Sequence, residues 1–383
     1  MTKYNCLNPI SEKGLELLTD DYVKVDNYAE CEAALVRSAD MHELDVPAKL
    51  LAVARAGAGV NNIPLEKLAE AGVVVFNTPG ANANGVKELV FTHMFLASRG
   101  IVDGINWVAS QAGDDGLAKA QEKQKKAYAG TEITGKKLGV VGLGAIGVMV
   151  ANDALKLGMH VCGYDPFLSD KAKATLSSEV EICVDLKAMC AVCDFITIHV
   201  PLMPTTKGMI SKEIIDSMKE NAVIINCARD TLVDEVAVVA ALESGKLGKY
   251  CSDFANSTTA GRKGCIVTPH LGASTEEAED NCAIMAVNQI KDYIENGNVE
   301  NSVNFPSANL GTTKGNRLSI LTKGIDSNHV VAALGKAGIR VVTQAGGVKG
   351  EYGYFLFDCA DTLSVQAVKA IEETYGVSRV RVL

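Results

Sequence analysis

Short apolar runs alternate with amphipathic stretches along most of the chain, and this alternation predicts strands separated by helices. In the first hundred residues the pattern predicts strands at 4–7, 33–37, 50–56 and 73–77, with helices at 11–18 and 64–71. Such alternation is typical of a parallel sheet covered by helices. A further helix is predicted over 86–98, because Val86, Val90, Met94 and Ala97 share one helical face.

The same pattern recurs on a larger scale after a polar, lysine-rich connector at 100–135. Six strands are predicted there, at 138–142, 160–164, 195–199, 222–226, 249–253 and 265–268. Six strands with intervening helices predict a doubly wound parallel sheet. Ser274 and Glu277 then form a capping box, which predicts a helix that runs to about residue 294.

From residue 317 onward the order of elements is strand, helix, strand, strand, helix, strand, which predicts a small βαββαβ ferredoxin-like domain. The predicted fold class is therefore α/β, with two doubly wound parallel-sheet domains and this small third domain. We place a discontinuous first domain at 1–100 and 274–302, the second domain at 101–273 and the third at 315–383.

The strand at 138–142 runs into a glycine-rich turn, with Gly142, Gly144 and Gly147 in G-x-G-x-x-G spacing. In a βαβ unit these glycines allow a tight turn, close approach of a pyrophosphate, and packing of the helix on the strand. The next strand ends at Asp165, about 20 residues downstream, where a carboxylate meets the ribose hydroxyls. The turn is therefore predicted to bind a dinucleotide, and the Asp165 charge favours NAD over NADP.

Composition narrows the class of partner. The net charge of −9 argues against nucleic acid and membrane surfaces, which attract basic proteins. No signal peptide or transmembrane run is evident in the sequence, so we expect a cytoplasmic protein. The 11 cysteines are scattered and predict reduced thiols. Cys190 and Cys193 have C-x-x-C spacing, but no second Cys or His pair lies nearby, so no metal is expected.

Several separate stretches together resemble the NAD-dependent D-2-hydroxy-acid dehydrogenases. The resemblance extends in the expected order from about residue 30 to 300 and is carried by GLGAIG at 142–147, YDP at 164–166, HVP at 199–201, INCAR at 225–229, SDF at 252–254, TPHLGAST at 268–275, and NTPG at 77–80 with Asn82. The C-terminal βαββαβ unit looks like the ACT regulatory domain.

The resemblance implies oxidation of a 2-hydroxy acid with hydride transfer to NAD. This chemistry needs a cation for the carboxylate and a base for the hydroxyl proton. The resemblance gives these roles to Arg229 and His270, whose guanidinium fork and near-neutral imidazole suit them. It places Asp253 at the nicotinamide carboxamide. The implied cofactor contacts are Gly142, Gly144, Ala145, Ile146, Gly147, Asp165, Pro201, Thr206, Cys227, Ala228, Asp253, His270 and Gly272.

A phosphorylated 2-hydroxy acid is the implied substrate, with its phosphate against the first domain. The expected substrate contacts are Arg37, Ser38, Ala58, Gly59, Val60, Asn82, Arg229 and His270, and Lys87 is added on charge alone. A homodimer or homotetramer is the implied assembly. Two alternatives stay open: a reductase of another 2-oxo acid, such as hydroxypyruvate or glyoxylate, and a non-catalytic NAD(H)-sensing protein.

Three positions depart from the family pattern. The family has a glutamate shortly after Asp253 that pairs with the histidine, and this chain has none, so we expect His270 to stay neutral at pH 7. Asp230 replaces a glycine, and it supplies the missing carboxylate, pairs with Arg229, or caps the helix entered at Asp234. The turn at 324–330 lacks the residues typical of an amino-acid-binding ACT domain, which argues against feedback inhibition and favours a role in assembly.

Overall fold

The computed structural model describes residues 1–383, which form two compact units. The first unit comprises Met1–Asn82 with Glu276–Leu383, and the second comprises Ala83–Thr275. None of the helices has the length and apolarity that a membrane crossing requires.

Strands and helices are numbered separately along the chain. The strands are β1 (Thr2–Cys6), β2 (Tyr22–Lys24), β3 (Ala33–Val36), β4 (Ala52–Arg55), β5 (Val74–Phe76), β6 (Lys137–Val141), β7 (His160–Tyr164), β8 (Glu181–Cys183), β9 (Phe195–Ile198), β10 (Ala222–Asn226), β11 (Leu247–Ser252), β12 (Cys265–Val267), β13 (Arg317–Lys323), β14 (Val341–Lys349), β15 (Tyr352–Cys359) and β16 (Val377–Val382). The α-helices are α1 (Glu12–Leu15), α2 (Leu65–Glu70), α3 (Ala83–Ser98), α4 (Ile101–Ser110), α5 (Leu117–Gln124), α6 (Ala145–Lys156), α7 (Asp170–Thr175), α8 (Leu186–Val192), α9 (Lys212–Ser217), α10 (Glu235–Glu243), α11 (Glu276–Asn296), α12 (Ser327–Lys336) and α13 (Val365–Glu372).

The first unit contains a five-stranded parallel sheet in the order β2-β1-β3-β4-β5. Strands β3 and β4 are rich in alanine and buried apart from Arg55, and α11 packs its own small residues against them. The sequence did not predict β2, because it has three residues and only Tyr22 is buried.

The second unit contains a seven-stranded parallel sheet in the order β12-β11-β10-β9-β6-β7-β8. Helices α3 and α6 cover one face, and α8, α9 and α10 cover the other, so the sheet is doubly wound. Six strands were predicted, and the seventh is the short, largely exposed β8. The third sheet is four-stranded and antiparallel, in the order β14-β15-β13-β16 of a ferredoxin-like βαββαβ unit. The predicted fold class is confirmed.

The two central strands of the antiparallel sheet, β13 and β15, bury side chains on both faces of the sheet within the first unit. Leu318 and Phe357 point into a core closed by α12 and α13. On the other face Leu321 and Leu356 join the core that holds Phe76 of the parallel sheet. The C-terminal residues thus form a sheet of their own. The third domain was predicted at 315–383, but these residues belong to the same compact unit as the parallel sheet.

Arg317 fixes this arrangement from a fully buried position at the start of β13. Its guanidinium donates to both oxygens of Asp358, at 2.6 and 3.1 Å. It also donates to the backbone oxygens of Asn296, Leu310 and Gly311, at 2.9, 3.2 and 2.7 Å. A buried cation is therefore matched by a carboxylate and by three backbone oxygens, one of which, that of Asn296, belongs to the last residue of α11.

The first boundary between the units falls at Asn82–Ala83 rather than at residue 100. Helix α3 was predicted with the first domain, but its apolar face, which includes Val90 and Met94, packs in the core of the second unit. The connector predicted at 100–135 is partly helical, since it contains α4 and α5. No residue of α4 is buried.

Candidate active site

The glycine-rich turn between β6 and α6 meets three separate requirements of a dinucleotide site. Gly142 has a φ of 91°, which an L side chain rarely adopts. A Cβ on Gly147 would lie 1.9 Å from the Gly142 oxygen, so only glycine lets the helix pack there. A Cβ on Gly144 would meet nothing within 4 Å, which leaves room in front of the N-terminus of α6, at Ala145 and Ile146. The turn fits the pyrophosphate of a bound NAD.

Asp165 is fixed beside this turn at the end of β7. One carboxylate oxygen accepts a hydrogen bond from the Leu143 N–H at 2.8 Å. The other accepts from the Phe167 N–H at 2.9 Å. These contacts fix the carboxylate beside the glycine turn, and its contact with the adenosine ribose stays a prediction.

The loop that carries Arg229 is organised by Asn226, the fully buried last residue of β10. The Asn226 side chain accepts from the Ala228 N–H at 3.1 Å and donates to the Arg229 oxygen at 2.8 Å. The Arg229 guanidinium donates to the Ala228 oxygen at 2.6 Å and lies 5.7 Å from the centre of the Phe254 ring. Its position therefore depends on the folded loop and on an aromatic face.

Asp253 follows β11 and anchors the next loop. Its carboxylate accepts from the Thr268 hydroxyl at 2.6 Å, from the Leu271 N–H at 2.7 Å and from the Gly272 N–H at 2.8 Å. Asp253 is only 1% exposed, and both oxygens are engaged within the protein. Contact between Asp253 and the nicotinamide stays a prediction, while its anchoring of the 268–272 loop is direct.

His270 lies in this anchored loop with a φ of 60°, a conformation that is uncommon outside glycine and recurs at functional sites. Its N–H donates to the Asp253 oxygen at 3.0 Å. Its imidazole packs on Phe254, with ring centroids 4.9 Å apart, and forms no side-chain hydrogen bond. No carboxylate therefore takes the place of the family glutamate against the imidazole.

Asp230 does not fill that role. Its carboxylate accepts from the N–H of Thr231 at 2.8 Å and forms no ion pair with Arg229. The cap of α10 is Asp234, which accepts from the Ala237 N–H at 3.0 Å.

A carboxylate does reach the segment after Asp253. Glu235, whose pKa is raised by burial, accepts from the side chains of Asn256 at 2.6 Å and Tyr250 at 2.8 Å. Asn256 in turn accepts from the N–H groups of Thr258 and Thr259. Glu235 therefore holds the loop at 256–259 rather than the imidazole.

The remaining cofactor candidates also follow strand ends of the second unit. Thr206 donates to the Pro201 oxygen at 2.7 Å and accepts from the Met203 N–H at 2.8 Å, which folds the loop after β9. Cys227 and Gly272 lie in the Arg229 and His270 loops described above. Because the carboxyl ends of parallel strands share one edge of a sheet, the structure brings these loops to the edge that carries the glycine turn.

The predicted phosphate contacts lie in the first unit. Asn8 accepts from the N–H groups of Arg37 and Ser38, both at 3.0 Å, and so shapes the loop after β3. The Arg37 guanidinium pairs with Glu279 at 2.7 Å. After β4, Asn77 donates to the Ala58 oxygen at 2.6 Å, in the turn that continues to Gly59 and Val60. Asn82 ends the first segment of the unit.

Among the predicted phosphate contacts, the structure contradicts Lys87 and adds Arg55. Lys87 belongs to the second unit, where its ammonium pairs with Asp153 of α6 at 2.9 Å. Sequence reasoning missed Arg55, the last residue of β4, whose Nε donates to the Arg37 oxygen at 3.1 Å. The signal was present, because a single arginine ends an otherwise apolar strand. No group of three or more His, Cys, Asp or Glu side chains is arranged to hold a metal ion.

Comparison with known proteins places this geometry in a family. Residues 91–272 match the family described as D-isomer specific 2-hydroxyacid dehydrogenase, NAD binding domain. The second unit therefore contains the NAD-binding domain of the D-isomer specific 2-hydroxyacid dehydrogenases.

The similar relatives carry a more particular name. The D-3-phosphoglycerate dehydrogenase of Methanocaldococcus jannaschii is 37% identical over 292 residues, which cover 74% of this chain and 53% of that protein. That of Homo sapiens is 32% identical over 312 residues, which cover 78% of this chain and 56% of that protein. The chain thus spans about half the length of these curated relatives. The NAD+-bound 3-phosphoglycerate dehydrogenase of Entamoeba histolytica is a structural neighbour at 27% identity and a TM-score of 0.63, covering 79% of this chain and 98% of that one.

Proposed function

We propose that the chain catalyses the NAD-dependent oxidation of D-3-phosphoglycerate to 3-phosphohydroxypyruvate, a step of serine synthesis. One observation carries the proposal: a guanidinium follows β10 and an imidazole follows β12, with only β11 between them, at one edge of an NAD-binding domain, in loops anchored by Asn226 and Asp253. The names of the curated relatives supply the substrate.

In this proposal Arg229 binds the substrate carboxylate through a bidentate pair of hydrogen bonds. His270 takes the hydroxyl proton as the carbon–oxygen bond becomes a carbonyl. NAD, which the glycine turn and Asp165 would hold, would supply the acceptor for the hydride from C2. In the reverse direction the imidazolium returns the proton to the oxygen, so His270 serves both directions. The exposed, unpaired imidazole is free to meet a substrate hydroxyl.

For the phosphate we propose contacts from Arg37, Ser38, Ala58, Gly59, Val60 and Asn82 of the first unit, with Arg55 added. Two guanidiniums at the ends of neighbouring strands support this, because phosphate is bound best by arginine forks and backbone N–H groups. The Arg37 guanidinium is already paired with the Glu279 carboxylate. It can bind a phosphate only if it breaks this ion pair or contacts both anions at once.

A direct assay tests the proposal. Purified protein is mixed with NAD and D-3-phosphoglycerate, and NADH absorbance is followed, with D-glycerate as a second substrate and hydroxypyruvate and glyoxylate tested with NADH. His270→Asn is expected to lower kcat by about 100-fold or more, and Arg229→Ala to raise KM and lower kcat. His160→Asn, an exposed histidine at the start of β7, is the matched control and keeps the full rate.

The outcomes separate the competing functions. Faster turnover of glyoxylate or hydroxypyruvate than of phosphoglycerate would make the chain a different 2-hydroxy-acid dehydrogenase. Tight NADH binding without turnover of any acid would make it an NAD-sensing protein. Equal rates in the wild type and in His270→Asn would contradict the assigned acid–base role.

We also propose that the chain assembles as a homodimer or a homotetramer through its second unit. Helix α4 supports this, because it buries none of its residues while Ile105 is 62% and Val108 47% exposed. Sedimentation velocity tests it: Ile105→Glu is expected to shift the species toward monomer, and an unchanged species excludes this face. The 11 cysteines are all free thiols, which supports a reducing compartment, and we propose the cytoplasm.

A further inference from the structure

His93 is the buried titratable residue that the proposed chemistry leaves without a role. It lies on α3, is 0% exposed, and has a polar partner on each ring nitrogen. Nε2 lies 3.3 Å from the Thr268 hydroxyl, and Nδ1 lies 3.5 Å from the Cys227 sulfur. These partners belong to the loops that carry His270 and Arg229.

The direction of each hydrogen bond follows from the partner that can only accept. An ionised carboxylate has no proton to donate, so the single proton of Thr268 is given to Asp253, at 2.6 Å. The contact from Thr268 to the Ser252 oxygen is longer, at 3.5 Å. The Thr268 oxygen must therefore accept from His93, and His93 carries its proton on Nε2.

This tautomer determines whether Nδ1, the other ring nitrogen of His93, donates or accepts a hydrogen bond. In a neutral imidazole with a proton on Nε2, Nδ1 accepts, so the Cys227 thiol donates to it. Burial lowers the pKa of His93, and the Asp253 charge only partly opposes that effect. Burial likewise raises the pKa of Cys227 well above its usual value. Both groups are thus in the neutral forms that the bonding pattern requires.

The result is one chain of hydrogen bonds from the Cys227 thiol to His93, from His93 to Thr268, and from Thr268 to the Asp253 carboxylate. Cys227 lies two residues before Arg229, and Thr268 lies two residues before His270. Asp253 holds the backbone at 271–272. Two loops of the proposed active site therefore meet at the His93 side chain, and the Asp253 loop is joined to them through Thr268.

We propose that His93 is a positioning residue that fixes the Arg229, Asp253 and His270 loops relative to one another for binding of the nicotinamide end of the cofactor and for the hydride-transfer step. The catalytic part of this inference rests on the proposed function, whereas the cofactor-binding part does not. The adenine end is held by the glycine turn and Asp165, which His93 does not contact.

Matched substitutions separate this role from simple packing. His93→Phe keeps a buried ring but leaves Thr268 without its donor and Cys227 without its acceptor. His93→Gln restores an N–H for Thr268. Thr268→Val removes the hydroxyl at constant shape, and Thr268→Ser keeps it. Ser98→Ala is the control, because it removes another buried hydroxyl from α3, bonded only to Met94 of the same helix.

The first readout is cofactor binding without any substrate. Dissociation constants of NADH and of ADP-ribose, which lacks the nicotinamide, are measured by fluorescence and calorimetry. We expect His93→Phe and Thr268→Val to weaken NADH about tenfold, the scale of leaving one buried hydrogen-bonding group unsatisfied, and to leave ADP-ribose unchanged. His93→Gln, Thr268→Ser and Ser98→Ala are expected to bind both ligands as the wild type does.

The second readout is turnover. We expect His93→Phe and Thr268→Val each to lower kcat about tenfold with little change in the KM of the hydroxy acid. The variant that combines His93→Phe with Thr268→Val should be no slower than either single variant, because both substitutions break the same chain of hydrogen bonds. If the wild type oxidises no hydroxy acid, the proposed function fails, and the NADH and ADP-ribose comparison still decides the role of His93.

Two results would overturn the inference. Equal weakening of NADH and ADP-ribose, or of neither, would show that His93 serves packing alone. Additive losses in the double variant would show that His93 and Thr268 act independently. If His93→Phe does not fold, Thr268→Val and Thr268→Ser carry the test, because they alter the same chain of hydrogen bonds at a loop residue and not in the helix.

Discussion

The imidazole of His270 lies against the ring of Phe254, with ring centroids 4.9 Å apart. The Arg229 guanidinium lies over the same ring, 5.7 Å from its centre. Phe254 thus contacts both of the side chains that we assign to proton transfer and carboxylate binding. An aromatic face can orient an imidazole through packing, whereas a carboxylate orients it through charge.

Phe254→Ala is therefore expected to lower kcat about tenfold, because it removes an aromatic contact and a cation–π contact worth about 1 kcal/mol each. Phe254→Tyr keeps the ring and is expected to stay within about twofold of the wild type. Steady-state kinetics with both substrates checks this. An unchanged kcat in Phe254→Ala would mean that the loop backbone alone positions His270.

The glycine turn gives a prediction that separates folding from binding. Gly144→Val places its side chain in open space, so the thermal midpoint should hold while the dissociation constant of NADH rises at least about tenfold. Gly147→Ala drives a Cβ into the Gly142 oxygen and should cost about 3 kcal/mol of stability. Gly335→Ala, in open space on α12, is the control and should lose no stability.

Asp165 should set the choice between the two nicotinamide cofactors. Asp165→Asn keeps an oxygen for the Leu143 N–H but removes the charge that opposes a 2′-phosphate. The ratio of the dissociation constants of NADPH and NADH is expected to fall about tenfold. Asp170→Asn, in the first turn of α7, is the control and should leave the ratio unchanged. A constant ratio in Asp165→Asn would place selectivity elsewhere.

Arg317 should matter far more to stability than its surface counterpart. Arg317→Met removes the guanidinium that donates to Asp358 and to three backbone oxygens, and a loss of about 3 kcal/mol is expected in urea unfolding. Arg340 forms a similar two-pronged pair with Asp361, but both side chains are exposed, so Arg340→Ala should leave the midpoint unchanged. Equal losses in the two variants would contradict a burial effect.

The same pair predicts a pH dependence of stability. The Arg317 guanidinium holds the pKa of Asp358 below its usual range. A carboxylate with a lowered folded pKa adds stability above its unfolded pKa of about 3.9, and this stability declines below that value and is lost as the pH falls through the lower folded pKa. Asp358→Asn should therefore be less stable than the wild type at pH 7, and the difference should shrink below about pH 5. A difference that stays constant down to pH 3 would exclude the ionic contribution.

Much of the fold was predictable because its signals are local. Periodicity and the glycine spacing located the sheets, and the loops of Arg229 and His270 follow strands that were predicted within one or two residues. The short strands β2 and β8 were missed, because few of their residues are buried and no alternation marks them.

The remaining differences are tertiary. Periodicity identifies the apolar face of α3 but not which sheet buries it, so the boundary was placed too late in the chain. His93 falls on that same face, where a histidine among apolar positions was the available signal. Phe254 could not be anticipated as a support for His270, since that role depends on a contact across two loops.

The shared core of the first unit has a consequence for how this chain can be recombined. A domain that has its own complete hydrophobic core can be removed or replaced without exposing the core of its neighbour. Here Leu321, Tyr354 and Leu356 of the antiparallel sheet belong to the core of the parallel sheet, and the cation that closes the end of α11 comes from Arg317. Removal of the antiparallel sheet would expose an apolar face of the first unit to water and would leave the backbone oxygen at the end of α11 without the Arg317 donor. Any transplanted C-terminal segment must therefore bring a matching apolar face and a buried guanidinium with it.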